Sequence, residues 1–318
     1  MSESVEVSRS GLTRRTALRT LFSAAAIGAG GSLLAACSSS SSTPPASAGG
    51  SSSGAASSLD AYKKSGVVMG IAAGMPYSGI AIDGSPTGLG PDVAKAILNG
   101  LGITQIKTVQ ASGYPELIPG LAAKRWDFVG ACLTLDKGVC DQALFTDPLA
   151  VTSLAFAYLP SFSNPPTSLA AAKKFTNLTL GMVTGDQHIP MAEQVGWASS
   201  KILLFPDRPS AVTALRQGRV SLVLAPSVGL ETVLQQQPGT FKITPTIPDA
   251  GWDASSNAFP LRSTALYNAY QQGFEKLRSS GQLASLQKKW GIPEPPAKYL
   301  NVTAQQVCTL PDFQPPGT

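Results

Sequence analysis

Trp126 to Pro148 reads WDFVGACLTLDKGVCDQALFTDP, and the fold of the whole chain can be worked outward from it. Phe128-Val129-Gly130-Ala131-Cys132-Leu133 is a short apolar run, which predicts a buried strand. The chain turns polar at Thr134, passes through Asp136-Lys137, and returns as Phe145-Thr146-Asp147-Pro148. In an open α/β fold, a strand end that turns polar beside a loop is where a ligand sits.

Upstream, Val67 to Ala72 is a second buried-strand pattern, ending in the loop Gly74-Met75-Pro76-Tyr77. Gly88-Leu89-Gly90-Pro91-Asp92 leads into a helix from Val93 to Leu101, with Pro91 suited to a first turn. Ile103 to Val109 is the next strand, and Tyr114-Pro115 opens a helix from Glu116 to Lys124. Strands alternating with helices predict a parallel α/β sheet. Thr152 to Leu159 is a further strand. Beyond Pro165-Pro166 the alternation restarts, with strands expected over 178–183, 201–205, 220–224 and 241–247 and helices over 168–175, 189–195, 210–216 and 228–235. Asp249-Ala250-Gly251-Trp252-Asp253 reads as a second crossing between the two units. Two helices follow, over 264–278 and 281–290; in the first, Leu266, Tyr270, Phe274 and Leu277 share a buried face.

The 318 residues suffice for one large or two medium domains. Of the formal net charge of +5, the first 36 residues carry +2, leaving too little to point to nucleic acid. One histidine, His188, excludes a multi-histidine metal site. No phosphate-cradling glycine loop is present, and no metal or cofactor is expected.

The N-terminus reads as an address. Thr13-Arg14-Arg15-Thr16-Ala17-Leu18-Arg19 precedes a short apolar run from Leu21 to Ala36, which predicts a twin-arginine-like signal peptide over residues 1–36. Leu34-Ala35-Ala36-Cys37 has the order of a lipobox, so Cys37 is the expected lipidated residue. Residues 37–58 are then the lipidated cysteine and a Ser/Gly/Pro tether that cannot bury much apolar surface. The chain is expected outside the cell, anchored to the outer face of the cell membrane. There an oxidising environment permits one disulfide among Cys132, Cys140 and Cys308, and the sequence leaves the pair open.

The quoted stretch also resembles a family. Trp126-Asp127, a small-residue strand, a short helix and Phe-Thr-Asp-Pro are similar to the first-lobe signature of extracytoplasmic solute-binding proteins of ABC importers, family 3. The similarity is closest to the amino-acid and ectoine/hydroxyectoine branch. Leu117-Ile118-Pro119-Gly120-Leu121, Phe205 to Ala211, Ala214 to Val220, Phe274 to Leu277 and Lys289-Trp290-Gly291-Ile292 add to it, so that it spans roughly Gly66 to Ile292. The resemblance implies a two-lobed periplasmic-binding-protein type II α/β fold, with a ligand cleft between lobes and two hinge crossings. Lobe 1 is expected at 59–155 and 251–318, and lobe 2 at 156–250.

In the ectoine branch aromatic rings face the ligand's cation and an arginine holds its carboxylate; π-faces attract cations and a guanidinium pairs a carboxylate at two points. By resemblance, Tyr77 and Tyr114 fall on family aromatics. Thr134 stands where a third aromatic is usual, Val139 where the arginine is usual, and Gly74 where the branch has an acid. Lys137 is the nearest cation to the missing arginine. In the second lobe, Asp186 and Gln187 lie in a turn that in the family offers groups to the ligand. Asp186 suits a cation or hydroxyl, or equally an N-cap. His188 reads as a surface residue near a helix start. Trp252 and Asp253, at the second crossing, are candidates to line the cleft, with a core or exposed tryptophan as the other reading.

The resemblance therefore implies a monomeric, non-enzymatic lipoprotein that captures a small polar solute, ectoine-like or amino-acid-like, and passes it to an ABC permease. The rivals are a cyclohexadienyl-dehydratase-like enzyme on the same fold and a ligand-sensing lipoprotein without transport.

Overall fold

The computed structural model describes residues 58–309. The expected signal peptide, Cys37 and the expected tether up to residue 57 lie outside the described residues. Ser58 caps the first helix, α1 (Leu59–Ser65), by accepting the Ala61 N–H at 3.3 Å.

The first lobe is built on three parallel strands. β1 (Val67–Ile71) lies between β4 (Ile106–Gln110) and β5 (Phe128–Thr134). A small ribbon, β2 (Gly79–Ile80) with β3 (Pro86–Thr87), follows β1. Helices α2 (Leu89–Gly100) and α3 (Leu117–Ala122) supply the crossovers that a parallel sheet requires. Trp126 fixes α3 to the sheet: its indole N–H donates to the Leu117 carbonyl at 3.0 Å and its ring fills the space left by Gly120. The helix expected over 116–124 begins as a 3-10 turn, Tyr114–Glu116.

After β5 come α4 (Lys137–Cys140) and β6 (Ala143–Phe145), and then β7 (Ala150–Tyr158) leaves for the second lobe. That lobe contains α5 (Leu169–Lys173), β8 (Leu180–Val183), α6 (Ile189–Gln194), β9 (Ile202–Phe205), α7 (Arg208–Arg216), β10 (Leu222–Pro226), α8 (Ser227–Gln236) and β11 (Lys242–Ile243). β8 lies parallel to both β10 and β9. The strand expected over 241–247 is shorter, because Pro245 has no N–H to extend the ladder. The return is β12 (Trp252–Pro260), followed by α9 (Thr264–Ser279), α10 (Gln282–Lys289) and α11 (Ala304–Thr309).

The joint between the lobes is a pair of long strands. β12 pairs antiparallel with β7 over Trp252–Ser255 against Ser153–Ala150. Beyond that stretch β7 pairs with β10 in the second lobe, while β12 pairs with β5 and β6 in the first. The second crossing is thus a strand rather than only the short segment expected at 249–253. Its Asp253, Ser255, Ser256 and Asn257 are all buried. Such a polar run has no apolar alternation to read, and Ser256 and Asn257 are accommodated in the interior through hydrogen bonds. The Asn257 amide donates to the Tyr270 hydroxyl at 2.9 Å, and the Ser256 hydroxyl donates to the Thr146 carbonyl at 2.5 Å.

Each lobe has its own apolar clusters. Leu266, Tyr270, Phe274 and Leu277 of α9 are buried, as their spacing predicts, against α2 and Phe128 of β5. In the second lobe Leu180, Met182, Leu222 and Leu224 alternate into one face of the sheet. A disulfide joins Cys140 of α4 to Cys308 of α11, and Cys132 is the buried free thiol among the described cysteines. This settles the pairing that the sequence leaves open.

Candidate functional site

The parallel strands of both lobes point their carboxyl ends at the same interlobe space. In the first lobe these ends carry the loop 72–78 after β1, the Tyr114 turn after β4, and Thr134 after β5. In the second they carry Asp186 to His188 after β8, Arg208 after β9, and Ser227 after β10. β7 and β12 supply Thr152, Ser153, Asp253 and Ser255 from the hinge. The two sets touch directly. Arg208 Nη1 donates to the Met75 carbonyl at 3.1 Å. Gly185 lies so close to Pro115 that a Cβ there would stand 2.4 Å from the proline Cγ, at a backbone φ of +76° that favours glycine.

Tyr77 is 4% exposed; its ring belongs to the first-lobe core and its hydroxyl shares a hydrogen bond with Thr152 Oγ1 at 3.1 Å. Burial, with the nearby Asp253 charge, pushes its pKa well above that of an ordinary phenol. Tyr114 is half-buried, with its hydroxyl 3.4 Å from the Ala131 carbonyl and 3.5 Å from Ser78 Oγ. Burial pushes its pKa up to about 12, against the opposing Ser78 hydrogen bond. The Tyr114 ring occupies the space beside Gly74, where a Cβ would lie 2.4 Å from the phenol oxygen.

Across the cleft, Asp186 and His188 form a pair. Asp186 Oδ1 stands 2.7 Å from His188 Nδ1 and also accepts the His188 backbone N–H at 2.9 Å. His188 is 1% exposed, which corrects the surface placement expected from its position at a helix start. The correction has a local cause: the aspartate two residues earlier forms an Asx turn that folds the imidazole inward. Burial opposes both charges, yet each is held by the other. The Asp186 carboxyl stays below its ordinary value and the His188 imidazole is raised above its own. Asp186 does not cap α6; the cap position is His188, without a side-chain bond.

Asp253 has a different character. It is 2% exposed, and its Oδ1 has no hydrogen-bond partner. Burial raises its pKa, over the lowering influence of His188, a hydrogen bond from Thr134 and the Arg208 charge. Ser255, two residues along the same face of β12, also has a buried hydroxyl without a partner, as do Gln187 Oε1 and Arg208 Nε. Buried polar atoms are normally paired, so this concentration between the lobes is the mark of a surface built to meet a polar guest.

The other sequence candidates fall elsewhere. Lys137 is exposed at the start of α4, and Val139 packs into the first-lobe cluster that holds Leu133 and Trp126. Trp252 faces away from Asp253 along β12 and packs on Tyr299, with ring centroids 5.0 Å apart. The alternation of a strand puts these two neighbours on opposite faces. Thr134 hydrogen-bonds Asp253, and Gln187 follows Asp186 in the turn after β8 with its Oε1 buried. Arg208 escaped the sequence reading because Phe205-Pro206-Asp207-Arg208 reads only as a helix start; a lone arginine there carries no sign that it reaches the opposite lobe. Among the described residues no group of three or more His, Cys, Asp or Glu is arranged to hold a metal.

The family model for bacterial extracellular solute-binding proteins, family 3, matches residues 67–293. A probable amino-acid ABC transporter periplasmic-binding protein of Sinorhizobium fredii is 22% identical over 261 residues, covering 79% of this chain and 86% of that protein. Among solved structures, EhuB in complex with hydroxyectoine is similar with a TM-score of 0.73 at 23% identity, covering 79% of this chain and 97% of that one. An ancestral arginine-binding protein bound to arginine gives a TM-score of 0.61 at 22% identity, covering 70% of this chain and 97% of that one. The fold is therefore the two-lobed, type II periplasmic-binding-protein fold, and the matched folds are those of binding proteins.

Proposed function

Because the chain belongs to the bacterial extracellular solute-binding proteins, family 3, we propose that it is a lipid-anchored receptor that captures a small polar solute between its lobes and delivers it to an ABC permease. The observation that carries this reading is the hinge. Two lobes joined through β7 and β12 turn the polar ends of their strands toward one another. A solute that contacts both surfaces favours the closed form over the open one by its differential affinity, and closure is what a permease would read. No covalent chemistry is required. The solute is amino-acid-like or a compatible solute, ectoine-like first. Tyr77 and Tyr114 bring phenols to the first-lobe wall, Thr134 and Gln187 add polar groups, and Cys37 carries the lipid that tethers the body to the outer face of the membrane.

Uptake tests the transport role. In cells lacking this gene, accumulation of radiolabelled hydroxyectoine, glycine betaine and L-glutamine is measured before and after complementation. Loss of uptake of at least one of them, restored by the wild-type gene and not by Cys37→Ala, supports the reading. Unchanged uptake of every solute, together with unchanged transcription when the solutes are added, contradicts both transport and the sensing alternative.

A further inference from the structure

The resemblance places the carboxylate-binding arginine in the first lobe, where this chain has Val139, with exposed Lys137 nearby. The cleft nevertheless holds a guanidinium and a carboxylate in reach of one another's fields. Arg208 stands at the start of α7 in the second lobe and passes over Gly229, where a Cβ would lie 2.4 Å from its Cζ. It reaches the first-lobe loop at the Met75 carbonyl with Nη1, and its Nε is buried without a partner. Asp253 stands on the hinge strand with Oδ1 unpartnered. The two form no ion pair with each other, although the Arg208 charge is felt at Asp253, Asp186, Tyr77 and Tyr114 alike. The second acid, Asp186, is already taken by His188.

We propose that Arg208 and Asp253 are the two poles of the ligand site, so that a zwitterion is held with its carboxylate toward the second lobe at Arg208 and its cation at the hinge beside Asp253. This rests on the solute-receptor reading and gives it a charge class and a direction. The carboxylate holder has moved from the first lobe to the second. Arg208 bridges the lobes through Met75, so the solute's carboxylate engages the same residue that makes the interlobe bond. Arginine suits this double role, because its fork of N–H donors can serve a carbonyl and a carboxylate together.

The test is calorimetric titration of the full-length protein with glycine betaine, hydroxyectoine and L-glutamine as zwitterions, and with choline as a cation lacking the carboxylate. Wild type is expected to bind at least one zwitterion, and to favour glycine betaine over choline by tenfold or more. Arg208→Gln should weaken zwitterion binding at least thirtyfold and collapse the betaine-to-choline preference. Asp253→Asn should weaken betaine and choline together and leave their ratio within threefold. Arg208→Lys, which keeps the charge, should recover part of the preference, and Lys137→Ala should bind as wild type does. The ratio moves only if the carboxylate sits at Arg208; a structural role of the arginine would weaken both ligands together. Wild type that binds zwitterions while Arg208→Gln keeps the preference overturns the assignment alone. Wild type that binds none of the four solutes overturns the assignment and the solute class together.

Discussion

Arg208 of the second lobe donates to the carbonyl of Met75 in the first, at 3.1 Å, across 133 residues of sequence. Met75 precedes Pro76 and Tyr77, so the bond fixes the loop that carries an expected ligand aromatic. It is a charge-assisted bond between the moving halves, and its loss should be felt in the distance between them. Arg208→Ala is expected to cost about 2 kcal/mol of stability and to expand the average molecule. Small-angle scattering should show a larger radius of gyration for the variant; an unchanged radius would mean that the bond does not hold the lobes together.

The Asp186–His188 pair predicts a stability plateau in pH. His188 is raised above its ordinary 6.5, so its contribution is complete below that value and is lost as pH rises through the higher folded-state value. Asp186 is lowered below its ordinary 3.8, so its contribution is present above that value and is lost as pH falls through the lower one. Asp253 acts in the opposite sense: its raised pKa means that stability declines as pH climbs above 3.8 toward the folded value. Replacing His188 by Phe leaves a buried carboxylate unpaired and should cost about 3 kcal/mol. Melting temperatures across the pH range should show the alkaline decline in wild type and its absence in His188→Phe.

Gly74 and Tyr114 share one volume. An acid at position 74 would collide with the phenol, since even a Cβ would lie 2.4 Å from the hydroxyl and 2.8 Å from the ring. Gly74→Asp should therefore destabilise by about 1 to 3 kcal/mol through overpacking. Adding Tyr114→Ala should return part of that loss, a coupling that a double-mutant cycle measures directly. Additive effects would show that the ring simply swings clear.

The Cys140–Cys308 disulfide ties the last described helix to α4 across 168 residues. By loop-closure entropy, Cys308→Ser could lower stability by up to about 5 kcal/mol, and by less if the unfolded chain keeps structure. The melting temperature should fall in the variant and in reduced wild type by the same amount. A fall on reduction that persists in Cys308→Ser would assign the effect to another cysteine.

Much of this architecture was legible in the sequence. The alternation of apolar strands and helices is a local pattern, and burial of Phe128 to Leu133 enforces it. β12 was not legible as a strand, because Asp253, Ser255, Ser256 and Asn257 mimic a loop until the sheet closes over them. The site divided along the same line. Tyr77 and Tyr114 could be named as candidates because they follow strands at positions where the resembled family has aromatics. The inward turn of His188, the reach of Arg208 and the partnerless oxygen of Asp253 depend on contacts between segments far apart in the chain, which no local pattern records. Lys137 is near the missing arginine in sequence, yet α4 starts with that side chain in solvent.

The most direct measurement is a thermal-shift screen of the full-length protein against hydroxyectoine, ectoine, betaines, amino acids, polyamines and sugars. Ligand that binds only the folded state stabilises it by mass action, by about 2.7 kcal/mol at about a hundredfold excess over the dissociation constant. The account predicts a saturable shift with one or more small zwitterions and none with sugars. A shift with sugars alone, or with no member of the panel, would contradict it.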